Sequence, residues 1–287
     1  MNIIFQINGG IGKVIASTAI CASIKFQYPE AKLIVVSGYP DVFLGNPNVY
    51  RAYSFNHPYF YKEYIDNQEV IVFGHDPYLE TKHIKQEEHL IETWCKMYGL
   101  PVVKNAGELF ITQREIDFFS KRFISDKPIF LMQTNGGGET EQKYSWARDI
   151  PSYVVYNIIN NFKEEYNIIH IKREDQLKYD NTYVVSDTFR SLVVLINMSE
   201  KRLFMDSFAQ HAAAALNKSS TVLWIANSPK VFGYDVHTNI VANPETSSLE
   251  LRNSYLTKYN IMGDPVEFPY KNESEIFDIN TVINSLK

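Results

Sequence analysis

A chain of 287 residues is too long for one small domain and fits two of roughly 100–150 residues each, with 45% hydrophobic residues to fill two cores. The net charge of −5 excludes a broadly basic nucleic-acid surface but leaves a local patch open, and the two cysteines, Cys21 and Cys95, exclude a disulfide framework or a CxxC metal site. No signal peptide precedes the first strand and no apolar run reaches the length of a membrane span, so a soluble, cytoplasmic protein is expected.

Strand and helix patterns alternate from the amino terminus, which predicts an α/β architecture with parallel sheets. Asn2 to Ile7 reads as a strand, Gly9 to Gly12 as a flexible turn, and Lys13 to Tyr28 as a helix. Ala31 to Val36 is a second strand, followed by a Gly/Pro-rich turn from Gly38 to Pro47; Val49 to Tyr53 and Glu69 to Phe73 give a third and fourth. Glu80 to Tyr98 predicts one long amphipathic helix, stopped by Gly99 and Pro101. Thr112 and Glu115 have capping-box spacing for a helix running to about Phe123.

A second cycle follows the polar stretch Ser125 to Pro128, and the domains are therefore drawn at 1–126 and 127–287. Ile129 to Gln133 is a strand, Asn135 to Gly138 a mobile loop, Ser152 to Tyr166 a helix and Ile168 to Ile171 a strand. Leu192 to Met198 lies on a helix; Leu203 to Met205, Thr221 to Ile225 and Asn239 to Ala242 complete the sheet.

Residues 202–224 hold the densest chemistry. An apolar strand ends in Asp206-Ser207, a pair able to cap the helix that carries His211 and the alanine row Ala212 to Ala215. The small side chains allow close packing of that helix on its sheet. Ligands of open α/β sheets gather at the carboxyl edge, and helix N-termini there favour anions, so a bound phosphate is expected. The loop from Gly9 to Lys13 fails as a P-loop: Ile7 stands where the first glycine belongs, and Val14 replaces the magnesium-binding hydroxyl. Ile15 occupies the third glycine position of a dinucleotide fingerprint. Gly10 and Gly12 serve either a tight turn or close backbone approach to a ligand.

Residues 8–36, residues 206–216 with Phe232-Gly233, and the Trp146 to Pro151 segment together resemble the heptosyltransferase-type glycosyltransferases. The resemblance implies two Rossmann-like domains facing across a cleft, the GT-B arrangement. The second domain would hold a nucleotide diphosphate sugar and the first the acceptor: a glycan, a lipid-linked sugar or a modified nucleic acid. No cofactor or metal is implied, and the closing helix at 278–286 would pack back on the first domain. Similar enzymes usually carry an aspartate at the position of Lys13, proposed to deprotonate the acceptor. With an ordinary pKa of about 10.4, a lysine is a poor base unless strongly desolvated, but it can stabilise a departing diphosphate.

Substitute bases stand at carboxyl edges of the first half: Asp41 after the second strand, and His75 with Asp76 after the fourth. The His75-Asp76 pair reads as base or as an ordinary turn before Pro77. His83 and His89 are six residues apart and do not share a helix face, so no metal site is expected there. In the second half the diphosphate would rest on the N–H groups of Ser207, Phe208 and Ala209, with His211 beside it. Thr134 and Asn135 open a glycine loop followed by the cations Lys143 and Arg148, either a phosphate cradle or a surface loop. Glu174 would receive ribose hydroxyls by the resemblance, or is a solvated turn residue. Asp187-Thr188 lines a base pocket or caps a helix. The stretch from His57 to Tyr64 stacks bases or packs between the domains. Rival functions are a non-catalytic binder of nucleotides or sugar phosphates, and a nucleotide-sugar epimerase.

Overall fold

The computed structural model describes residues 1–136, 145–246 and 268–287. Every pairing among the ten described strands is parallel. The first sheet has the order β3-β2-β1-β4, from β1 (Asn2–Ile7), β2 (Lys32–Ser37), β3 (Arg51–Tyr53) and β4 (Val70–Phe73). The second contains β5 (Ile129–Gln133), β6 (Asn167–Ile171), β7 (Tyr183–Val185), β8 (Lys201–Met205), β9 (Thr221–Trp224) and β10 (Thr238–Val241), in the order β10-β9-β8-β5-β6-β7. The expected α/β class with two Rossmann-like units is thereby observed. Each sheet reverses its winding once, between β1 and β4 and between β5 and β8. A crevice opens outside the strand ends at such switch points.

The helices are α1 (Ile11–Gln27), α2 (Phe60–Tyr64), α3 (Thr81–Ile84), α4 (Leu90–Met97), α5 (Gln113–Phe119), α6 (Ser152–Phe162), α7 (Phe189–Met198), α8 (Phe208–Ala215), α9 (Pro229–Phe232) and α10 (Ile279–Ser285). α1 is buried along most of its length, because it packs on its own sheet, on α4 and on α8 of the other half. Ile15, Ala16, Ala19 and Ile20 join Ala209, Ala212 and Ala213 in one apolar cluster that spans both halves. Each fully buried isoleucine there contributes about 1.5–3 kcal/mol of transfer free energy. The alanine row, expected to bring a helix close to its sheet, brings α8 close to α1.

Three expectations are corrected. The helix expected over Glu80 to Tyr98 is broken: Gln86 takes a left-handed φ of 54°, and His89 caps α4 by accepting from Ile91 N–H at 3.3 Å. Side chains there offer the backbone a cap in competition with helix continuation. The closing helix belongs to the second half, with Val282, Ile283 and Leu286 in its core and α6 as its neighbour. The aromatic stretch divides: Tyr53, Phe60 and Tyr64 pack with Ile4 and Ile34 on the first sheet, while Phe55, His57, Tyr59 and Tyr61 are exposed. The capping box at Thr112 and Glu115 is present in full. No helix among the described residues is long and apolar enough to cross a membrane.

Candidate active site

The first turns of α1 and α8 meet. After β1 the chain turns through Gly9 at φ 104°, a conformation that suits glycine, and enters α1. A Cβ on Gly12 would lie 2.7 Å from His211 Cδ2 and 3.5 Å from Phe208 Cα. Gly12 thus permits helix–helix approach across the two halves. A Cβ on Gly10 would meet nothing within 4 Å, so its backbone faces open space. Two helix N-termini, each with partial positive charge, converge beside it. His211, expected beside a ligand, is buried at this seam with Nδ1 2.7 Å from the Tyr234 hydroxyl. Burial pushes its pKa down to about 3, so the ring is neutral.

One residue further along α1, Lys13 Nζ lies 2.6 Å from Asp76 Oδ1 and over the Tyr78 ring at 4.4 Å. Desolvation lowers the lysine pKa, and the hydrogen bond and charge of Asp76 oppose that shift. Asp76 Oδ1 also accepts the Tyr78 N–H at 3.0 Å, capping a 3₁₀ turn at Pro77–Leu79. The carboxylate side chain is 36% exposed, and its Oδ2 makes no hydrogen bond among the described residues. His75 contributes its carbonyl to the Tyr98 hydroxyl at 2.9 Å. Asp41 stands on another 3₁₀ turn, Pro40–Phe43, exposed and joined to neither Lys13 nor Asp76. Of the four catalytic candidates, the fold brings two into direct contact.

At the second switch point, Gln133 at the end of β5 organises the start of α8. Its Nε2 donates to Ser207 Oγ at 3.1 Å, and its Oε1 accepts the Ala209 N–H at 3.4 Å. Ser207 occupies the N-cap position without a side-chain cap bond, so the expected self-cap is replaced by a glutamine from the neighbouring strand. Asp206 accepts a close hydrogen bond from Asn227 Nδ2. Burial raises the Asp206 pKa against that bond and the charge of Arg148.

Asp149 is the residue whose role the sequence leaves unread. It is buried, with Oδ1 accepting Gly136 N–H at 3.0 Å and Oδ2 accepting Asn135 Nδ2 at 3.1 Å and Ser145 N–H at 2.8 Å. One carboxylate thereby ties together both flanks of the glycine loop. Desolvation raises its pKa, opposed by those donors and by Arg148. A Cβ on Gly136 would lie 3.5 Å from the Arg148 guanidinium, so Arg148 sits beside the loop backbone, and its charge acts on both Asp149 and Asp206.

Thr134 turns inward, donating to Asn135 Oδ1 at 2.9 Å and sharing a 2.7 Å hydrogen bond with His170 Nε2. Glu174 is exposed, and its carbonyl lies 3.5 Å from Lys172 Nζ. Asp187 accepts from Arg122, Ser191 and the Thr188 N–H, a structural cap. Lys143 lies outside the described residues. Among the described residues no group of three or more His, Cys, Asp or Glu side chains could hold a metal ion. A groove of about 1010 Å³ lies at the opposite, amino edge of the second sheet, lined by residues such as Lys127, Tyr166 and Tyr183, and none of the candidates reaches it.

No protein-family profile matches the chain. A search of curated proteins likewise returns no match. Solved structures do match. The E. coli ADP-heptose lipopolysaccharide heptosyltransferase II superposes over 100% of this chain and 98% of its own, with TM-score 0.69 and 14% identity. The chain has the heptosyltransferase fold. A glycosyltransferase of family 9 from Veillonella parvula matches with TM-score 0.65 and 14% identity, covering 99% of this chain and 95% of that one. The E. coli heptosyltransferase WaaC with ADP gives TM-score 0.61 and 11% identity over 99% of this chain and 98% of the other. At these identities the likeness is one of architecture, the GT-B arrangement read from the sequence.

Proposed function

We propose that the protein is a glycosyltransferase that moves a sugar from a nucleotide diphosphate sugar to an acceptor hydroxyl. The observation that carries this reading is the convergence of two helix N-termini, from opposite halves, beside an open glycine backbone and the Lys13–Asp76 pair. The diphosphate would rest against the backbone of Ser207 and Phe208, with Arg148 and Lys143 as cations and Asp206, Thr134 and Asn135 shaping the loop; Glu174 would take ribose hydroxyls. Adenosine diphosphate sugars are the first donors to test, because the similar structures are named for ADP-heptose and ADP.

Asp76 is the base. Its free Oδ2 takes the proton of the acceptor hydroxyl, the hydroxyl oxygen bonds to the anomeric carbon, and the bond from that carbon to the phosphate oxygen breaks. The electron pair leaves on the diphosphate, where helix N-termini and Arg148 stabilise it. Lys13 holds Asp76 in place.

A thermal-shift series with ADP, UDP, GDP, TDP and their sugars tests the donor half. Ligand at 100 times its dissociation constant adds about 2.7 kcal/mol of stability. Arg148→Ala should abolish the shift, whereas Asp76→Asn should keep it and lower sugar transfer by about 10²–10⁴-fold. Absence of any shift across the series would remove the donor site. The pairing of Lys13 with Asp76 also fits a non-catalytic binder, for which donors would bind and no acceptor would be glycosylated.

A further inference from the structure

The carboxyl edge of the first sheet carries a row of residues, with exposed aromatic rings at one end, that donor binding does not use. Strand register fixes its geometry: Val36 pairs with Tyr53, Ile7 with Ser37, and Phe5 with Phe73. Carried past the strand ends, that register aligns Phe55, Gly38, Asn8 and Asp76 side by side. Both flanks of this row keep contact: a Cβ on Gly38 would lie 3.9 Å from Phe55 Cε2, and one on Gly74 would lie 3.9 Å from Gln6 Cβ. Phe55 and Asp76 are therefore separated by three interstrand steps, roughly 14 Å at 4.8 Å each. That distance exceeds one pyranose ring.

The row also has a definite chemistry. Phe55 is 37% exposed and the adjacent Tyr39 is 41% exposed, large rings left open beside the small Gly38. The loops that build the edge, residues 8–12, 38–50, 54–61 and 74–80, contain no lysine or arginine, while Asp41, Asp76 and Glu80 supply carboxylates. The nearby cation Lys13 is already paired. Phosphorylated or otherwise polyanionic acceptors would find no countercharge within these loops, the exposed Lys62, Lys82 and Lys85 lying just beyond them. A neutral sugar finds both its needs, aromatic faces for its C–H surface and carboxylate acceptors for its hydroxyls.

We infer that the acceptor is a neutral oligosaccharide of at least two rings, whose terminal hydroxyl reaches Asp76 while a preceding ring stacks on Phe55 and Tyr39. This rests on the transferase reading for the role of Asp76; the platform itself rests on the register and the exposed rings. The test is a glycan array probed with the full chain, bearing neutral and anionic oligosaccharides, single sugars and single-stranded DNA. Capture of neutral oligosaccharides in preference to single sugars is expected. It should weaken at least tenfold in Phe55→Ala and survive in Phe55→Tyr, which keeps the stacking face. Equal capture by Phe55→Ala, preference for anionic glycans or DNA, or capture of no neutral glycan overturns the inference. ADP should shift the melting of wild type and Phe55→Ala alike, showing that the variant is folded. If neutral glycans bind but no nucleotide does, the transferase reading fails and the platform stands.

Discussion

Replacing Gly12 with alanine tests the seam on which the site depends. The added methyl would sit 2.7 Å from His211 Cδ2, about 0.7 Å short of ordinary contact at 3.4 Å. The imidazole has little room to yield, because its other side is held by the Tyr234 hydroxyl at 2.7 Å and the ring is buried. Overpacking of this kind costs about 1–3 kcal/mol. Alanine regains up to about 1 kcal/mol over glycine inside a helix, which leaves a net loss of about 0–2 kcal/mol at full gain. At about 2–4 °C per kcal/mol the melting temperature should fall by up to about 8 °C. Gly10→Ala is the internal control: its methyl enters open space, and exchanging glycine for alanine at an N-cap changes stability by only about 0.5 kcal/mol. Urea titration and thermal melting of both variants, together with Gly12→Ala in a His211→Ala background, measure the effect. The double variant should recover about 1 kcal/mol of coupling. Equal stability of the two single glycine variants would refute the claim that Gly12 exists for close helix approach.

Two further predictions concern buried titratable groups. Asp149→Asn keeps the size of the side chain but offers one acceptor oxygen in place of two, stranding at least one of the Gly136, Asn135 and Ser145 donors. A loss of about 1–3 kcal/mol is expected, with weaker nucleotide binding in the same thermal-shift series; unchanged binding would mean the loop does not touch the donor. His83 and His170 are pushed down to about 4 and His211 to about 3, all from an ordinary value of 6.5, chiefly by desolvation. Between pH 6.5 and 4 the unfolded chain therefore binds more protons than the folded one. Stability present above pH 6.5 should be lost on acidification by roughly 1.4 kcal/mol per pH unit for each histidine. Replacing His170 with Gln should flatten that slope, as read from urea midpoints at several pH values; a profile already flat between pH 6.5 and 4 would contradict it.

The alternation of elements was legible because parallel strands covered on both faces read as apolar runs, as in Ile129 to Gln133 and Leu203 to Met205. The short elements α2, β7 and α9 escape detection because three to five residues do not establish a period. Lys13 and Asp76 were separately conspicuous, but their pairing depends on β1 and β4 lying side by side, which no local pattern encodes. The same holds for Gln133, whose capping of α8 links residues distant in sequence, and for Asp149, whose three donors come from both ends of the glycine loop. Ser207 stands at the expected N-cap position, but the side-chain hydrogen bond to the first turn comes from Gln133. A good capping residue in the right place predicts a self-cap until a stronger partner arrives from another strand.

The packing of α5 bears on how this fold can be recombined. Arg190 of α7 pairs with Glu115 and also donates to the Phe110 carbonyl at 2.6 Å, Arg122 pairs with Asp187, and Leu109 N–H reaches the Ala215 carbonyl at 3.4 Å. Just before them, Glu108 N–H donates to Thr18 of α1 at 2.7 Å. The chain thus changes allegiance at Glu108–Leu109, well ahead of the polar stretch at Ser125. A chimera that exchanged its second half with a protein of the same fold at Ser125 would carry α5 with a foreign α7 and break both ion pairs. Crossing over at Glu108 would transfer α5 with the surface it evolved against.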